Sequence, residues 1–139
     1  MKTFEKNKKP FLIVDYDPTV IEKLTTEGKD TLYADAEDIE LREEIDWSHV
    51  RLIVSTIHDL ETNMIILNFL KQRYPSLVII LSARQVSDAE YLYLHGADYV
   101  VIPYIVGGYH TAMMIEACGY DTEKYLQKKQ EHLELLGTR

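Results

Sequence analysis

Four short apolar runs punctuate the chain: FLIV (11–14), RLIVST (51–56), LVIILSA (77–83) and YVVI (99–102). Each is continuous rather than alternating, and each is rich in valine and isoleucine. A strand with one wet face alternates polar and apolar side chains, whereas a strand covered on both faces need not. The runs therefore predict strands of a parallel sheet lying between helices. A weaker fifth run, TLYA (31–34), sits between the first two.

The intervening stretches are amphipathic. Residues 18–27 begin with Pro18, suited to a first helical turn, and end before Gly28; Asp17 is placed to cap them. Residues 37–45 set Ile39, Leu41 and Ile45 among acids. Residues 60–73, LETNMIILNFLKQR, form the most apolar helix and stop before Pro75. Residues 87–95 read as a helix capped by Ser87 and closed by Gly96. Strand and helix alternate, which gives an α/β layered sheet with right-handed crossovers. After Pro103, Gly107-Gly108 predicts a break before a short apolar helix. Residues 122–136 then form a charged helix with Tyr125, Leu126, Leu133 and Leu136 along one side.

A length of 139 residues suits one domain of ordinary size. A net charge of −8 argues against nucleic acid as a partner, because that needs a basic patch or stripe. The one cysteine, Cys118, excludes an intrachain disulfide and a multi-cysteine zinc site; it is expected to be buried and inert. No window approaches 18 consecutive apolar residues, and MKTFEKNKKP is followed by no signal-peptide core. The chain is therefore expected to be soluble and cytoplasmic, without membrane insertion of its own. That is compatible with its being one piece of a membrane protein.

In an open parallel sheet, ligands bind at the carboxyl ends of the strands. There lie Asp15 and Asp17, Asp35, Ser55 and Thr56, Ser82 and Arg84. A carboxylate offers two oxygens to the two hydroxyls of a ribose, so Asp15 is the ribose candidate. Asp17 reads mainly as a cap. Asp35 either contacts an adenine amino group or caps the next helix. Ser55 and Thr56 either line a ribose or satisfy the strand end. Asn63 either reaches back to the site or holds the loop, and Arg84 pairs with a phosphate or with a carboxylate. The five histidines show no metal-ligand spacing. There is no Gly-x-Ser-x-Gly elbow and no Ser-His-Asp signature, so no enzyme is expected. A Gly-x-Gly-x-x-Gly phosphate loop is also absent.

LIVDYDP, LSA and GADYVVIPY resemble a response-regulator receiver. The position expected for its phosphorylated aspartate falls near Ser55, and the lysine expected before Pro103 is Ile102. Phosphoryl transfer needs that carboxylate nucleophile. On this alternative reading the chain is a degenerate receiver-like interaction module.

A second resemblance covers residues 10 to about 136 and is more specific. FLIVDYDPTVIEKL, YADAED, LIVSTIHDLETN and GADYVVIPYIVGG, in that order, resemble the TrkA-N (RCK-type) nucleotide-binding domain. The likeness is closest to the cytosolic domain of Kef-type cation/proton antiporters, where LYLHGADYVVIP (92–103) and the tail also find counterparts. The resemblance implies a Rossmann-like, non-catalytic regulatory domain that binds NAD(H) or another adenine nucleotide and controls monovalent cation transport. It implies Asp15, Asp17, Asp35, Ala36, Thr56, Asn63 and Arg84 as the cofactor-binding set, with Asp15 on the ribose and Asp35 near the adenine. It also implies a homodimer, a parent membrane transporter as partner, and a cytoplasmic location.

The family's opening strand, glycine-rich loop and helix have no counterpart here. Residues 1–10 read as the remnant of that helix or a linker, 11–104 as a truncated Rossmann-like domain, and 105–139 as a helical tail. Without the loop, nucleotide affinity should be weak. In the Rossmann order 3-2-1-4-5-6 the missing strand is central. Either FLIV pairs directly with RLIVST, or a second chain supplies the contact by dimerisation or swapping.

Overall fold

The computed structural model describes residues 2–137. A short helix, α1 (Lys2–Lys6), leads to β1 (Ile13–Asp15), α2 (Pro18–Thr26) and β2 (Thr31–Tyr33). Then come α3 (Ile39–Glu44), a 3-10 turn (Trp47–His49), β3 (Leu52–Val54), α4 (Leu60–Arg73) and β4 (Val78–Ser82). The order ends with α5 (Val86–Leu94), β5 (Tyr99–Val101), α6 (Pro103–Cys118) and α7 (Thr122–Gly137). The chain divides into two compact units, one running through Val100 and the other starting at Val101.

All five apolar runs form strands, in two parallel ladders. β1 pairs with β2, Ile13 opposite Thr31. β3 pairs with β4, Leu52 opposite Val78, and β5 completes the order β3-β4-β5. FLIV does not pair with RLIVST, contrary to the first of the two expectations; the ladders stay separate.

Local chemistry explains most helix ends. The Asp17 carboxylate accepts the Thr19 N–H at 2.8 Å and starts α2, with Pro18 in the first turn. Asp59 accepts the Thr62 N–H at 2.9 Å and starts α4, which stops at Tyr74, the residue before Pro75. Gly96, at φ +102°, closes α5 in a conformation that L side chains avoid. The start of α5 corrects the expectation for Ser87. The chain is still extended at Gln85 and turns helical at Val86, so Ser87 lies inside the first turn and caps nothing.

The core gathers around β4. Leu67 and Leu70 from one side of α4, Ile79 and Leu81 from β4, and Leu92 from α5 are fully buried. β4 has ladder partners on both edges, which is why its apolar run is continuous. Burial is thinner elsewhere: Leu24 and Leu41 are buried, whereas Leu12 and Val54 are about half exposed. The Trp47 ring packs edge-on against Phe69, centroids 6.1 Å apart, and Arg73 lies over the Phe69 ring.

Asp98 ties α4 to β4. Its carboxylate accepts from Lys71 Nζ at 2.7 Å and from the Ile79 N–H at 2.8 Å. The Lys71 bond, helped by the amide, holds the Asp98 carboxyl below its ordinary 3.8 against a smaller desolvation effect. A carboxyl that is more acidic folded than unfolded stabilises above its unfolded value, and the gain is lost as pH falls through the folded one. The urea midpoint should therefore drop on acidification between roughly pH 5 and pH 2, and less steeply in Asp98→Asn. Identical slopes would remove Asp98 from the account.

In the second unit, α6 runs unbroken through Gly107 and Gly108, where a break was expected. Neither glycine adopts positive φ, and the Thr111 hydroxyl donates to the Gly107 carbonyl at 2.9 Å. Glycine costs a helix interior about 1 kcal/mol, which a helix of 16 residues tolerates. Gly119, at φ +55°, ends α6, and Asp121 accepts the Glu123 N–H at 3.0 Å to start α7. Cys118 is buried, whereas Leu126, Leu133 and Leu136 are exposed. No helix among the described residues is long and apolar enough to cross a membrane.

Candidate functional site

A cavity of about 580 Å³ opens at the carboxyl ends of β1 and β3. Asp15, Tyr16, Asp17 and Pro18 form one lip; Thr56, Ile57, His58 and Asp59 form the other, with Arg84 entering from the turn after β4.

The acidic lip is a self-supporting turn. Asp15 Oδ1 accepts the Asp17 N–H at 2.9 Å, and Asp17 Oδ1 accepts the Thr19 N–H at 2.8 Å. Asp17 is thus occupied as a helix cap. Asp15 uses one oxygen on the turn, and its Oδ2 has no protein partner among the described residues. The turn leaves Tyr16 69% exposed at the cavity.

The opposite lip is held from behind by Asn63. Its side chain is fully buried, and its donors and acceptor are engaged. Nδ2 donates to the Ile57 carbonyl at 2.8 Å and to the Ser82 carbonyl at 2.9 Å; Oδ1 accepts from Ser55 Oγ at 2.9 Å. Ser82 Oγ returns a bond to the Ser55 carbonyl at 2.9 Å. This network joins the ends of β3 and β4 to the loop carrying Thr56 and His58. Asp59 stays ionised: the Thr62 N–H and hydroxyl, with Arg84 nearby, hold its carboxyl below the usual range.

The structure brings together Asp15, Asp17, Thr56 and Arg84 of the expected set. It places Asp35 and Ala36 outside the cavity lining; Asp35 Oδ1 accepts the Glu37 N–H at 3.0 Å and closes the turn after β2. Asn63 stands behind the loop, not in the cavity wall. Tyr16 and His58 line the cavity although neither belonged to the set. For Tyr16 the available signal was an aromatic ring between two strand-end acids.

Charge is spread unevenly over the cavity: the Asp15 and Asp17 carboxylates sit on the β1 lip, and the Asp59 carboxylate with the Arg84 guanidinium on the other. Such a site suits a ligand with hydroxyl donors at one end and an anionic group at the other. Among the described residues no group of three or more His, Cys, Asp or Glu is placed to hold a metal ion. A smaller cavity, about 250 Å³, lies beside α1 and the α2–β2 turn, where Glu5 pairs with Lys29. The receiver-like reading finds no support, since Ser55, near the expected phosphorylation position, is buried and bonded to Asn63.

Comparison with known proteins gives a consistent result. Residues 1–103 match the TrkA-N domain family. The glutathione-regulated potassium-efflux system protein KefC of Escherichia coli (strain E24377A) is 32% identical over 75 residues, 54% of this chain. Those residues are 12% of the relative, so the chain matches only a small part of its length. The TrkA-N domain of the E. coli inner membrane protein YbaL superposes with a TM-score of 0.74 at 16% identity, covering 82% of this chain and 84% of that one. The AMP-bound C-terminal domain of Shewanella denitrificans Kef superposes with a TM-score of 0.66 at 20% identity, covering 99% and 87%. These superpositions show a shared Rossmann-like fold.

Proposed function

Because the chain belongs to the TrkA-N domain family, we propose that it is the regulatory nucleotide-binding domain of a Kef-type potassium or sodium/proton antiporter. The observation that carries this reading is the cavity at the strand ends, which gathers Asp15, Thr56 and Arg84 in one lining. Asp15 Oδ2 accepts from the ribose hydroxyls, Thr56 lines the ribose from the other lip, and Arg84 faces the phosphate. The ligand is NAD(H) or another adenine nucleotide. Within this sequence no Gly-x-Gly-x-x-Gly loop brings backbone amides to the phosphates, so Asp15, Thr56 and Arg84 are the contacts that these residues offer.

The domain does no chemistry on its ligand. Nucleotide binding shifts the population of two domain arrangements, and the shift passes to a membrane transporter on whose cytosolic face the domain sits. Kinship with KefC supports this partner. Residues 11–104 are the sensing part and 105–139 the tail. The chain assembles as a homodimer through the exposed apolar side chains of α6, among them Ile105, Val106, Tyr109 and Ile115. Sedimentation should report a dimer that dissociates in Ile105→Glu; a monomer at all concentrations would remove the dimer.

Calorimetric titration with AMP and with NADH tests the site. Asp15→Ala should weaken binding about tenfold, the loss of one or two bonds to a charged acceptor, with the urea midpoint little changed. Affinity equal to wild type would refute the ribose assignment.

A further inference from the structure

Three carboxylates and one guanidinium border the strand-end cavity, a balance unfavourable to an anion. Asp15 and Asp17 lie on the β1 lip with the Tyr16 phenol, Asp59 lies on the other lip, and Arg84 enters from the turn after β4. The Arg84 charge is already partly answered, since it helps hold the Asp59 carboxyl ionised. A ligand phosphate therefore meets one shared cation among three like charges. One further lining residue can become cationic, and it is His58. Its side chain is half-buried, whereas the other four histidines are exposed. His49 bonds to Asp46 and His95 to the Tyr91 carbonyl, but the His58 ring has no hydrogen-bond or ion-pair partner among the described residues. The backbone on either side of it is fixed. The Ile57 carbonyl accepts from Asn63 Nδ2 at 2.8 Å, and Asp59 caps α4. The loop thus presents the ring at the cavity with only its own torsions free. Glu61, in the first turn of α4, lies outside the lining.

We propose that His58 is the second cation of an anion subsite shared with Arg84, and that a phosphate-bearing ligand draws one proton from solvent onto the imidazole as it binds. Protonation makes both ring nitrogens donors. Three acids less one guanidinium leave an excess of two negative charges around the cavity, and an imidazolium reduces it to one. Histidine changes charge between about pH 5 and pH 8, whereas aspartates ordinarily titrate below that window and arginine above it. The ring is therefore the group of this lining that responds there. An anion that prefers the imidazolium binds more tightly as pH falls through the window, and by reciprocity its binding raises the midpoint of the ring. Occupancy of the site then depends on pH as well as on ligand concentration. That the anion is a nucleotide phosphate rests on the nucleotide reading; the anion subsite does not.

NMR titration of the histidine rings and calorimetry test this on the whole chain. The probes are sulfate, compared with chloride at equal ionic strength, and NAD+; neither anion titrates in this window. Each should raise the His58 midpoint by about one pH unit, while the exposed rings of His110 and His132 move little. NAD+ affinity should rise about tenfold from roughly pH 8 to pH 5.5, since one unit of midpoint corresponds to tenfold in binding. Adenosine, which lacks the phosphates, should bind equally at both. His58→Gln should flatten the NAD+ dependence; the wild-type ring titration needs no variant, so a misfolded variant cannot hide the answer. A shift with sulfate alone would keep the subsite and remove the nucleotide as its ligand. A shift with NAD+ alone would keep both. NAD+ binding that is independent of pH and moves no midpoint would overturn the inference and leave the nucleotide reading intact. No shift with either probe, equal shifts in all the rings, an equal shift with adenosine, or an unchanged pH dependence in His58→Gln would overturn it as well.

Discussion

Asn63→Ala is expected to lower the stability of the first unit by about 3–5 kcal/mol, measured by urea unfolding. The side chain is fully buried and bonded through both donors and its acceptor. Truncation strands the Ile57 and Ser82 carbonyls and removes the acceptor of Ser55 Oγ. Each buried group left unpaired costs roughly 1–3 kcal/mol, and water entering the new space recovers part of the sum. Asn63→Asp should be no milder at neutral pH. It keeps an acceptor for Ser55 but turns two donors into acceptors facing carbonyls, and it buries a charge. Ser55→Ala, which removes one hydroxyl, should cost only about 1 kcal/mol. The same variants should weaken AMP binding, because the loop bearing Thr56 loses its anchor. A loss below about 1 kcal/mol in Asn63→Ala would mean that the loop is held by something else.

Leu67→Ala should cost about 2–5 kcal/mol. Leu67 is fully buried on the face of α4 that also buries Leu70, and β4 supplies Ile79 and Leu81 to the same core. Truncation loses the transfer energy of the side chain and leaves a cavity that a packed sheet closes poorly. Leu94→Ala is the control: Leu94 is 83% exposed, and its loss should fall within about 0.5 kcal/mol. Against a total stability of about 5–15 kcal/mol for a domain, the Leu67 loss can unfold much of the population at 37 °C. Equal urea midpoints for Leu67→Ala and Leu94→Ala would show that the core is not where the burial places it.

Local physics made much of the molecule legible in advance. Continuous valine–isoleucine runs marked four of the five strands, because strands covered on both faces select such residues, and the weaker run TLYA marked β2. The bounds of α4, residues 60–73, followed from Asp59 before it and Pro75 after it. Asp17 and Pro18 announced α2, and the acidic lip came with them, because a cap and a two-residue turn are settled within three or four residues of chain. Gly107 and Gly108 misled because glycine permits a break without requiring one, and the backbone stays helical through both.

What depends on distant partners was decided only by the tertiary structure. Asn63 could be a ligand or a loop anchor from its position alone; carbonyls six and nineteen residues away determine that it is an anchor. Asp35 lies at a strand end like Asp15, yet the one closes a turn beside Glu37 while the other borders the cavity. The sequence by itself determined which segments are strands and helices, which acids begin a helix, and the family to which the fold belongs. Only the tertiary structure decided that β1 and β3 stay apart with open edges. The physical reason is range: caps and periodicity are settled by neighbours in the chain, whereas strand order and buried polar bonds need partners that folding alone brings together.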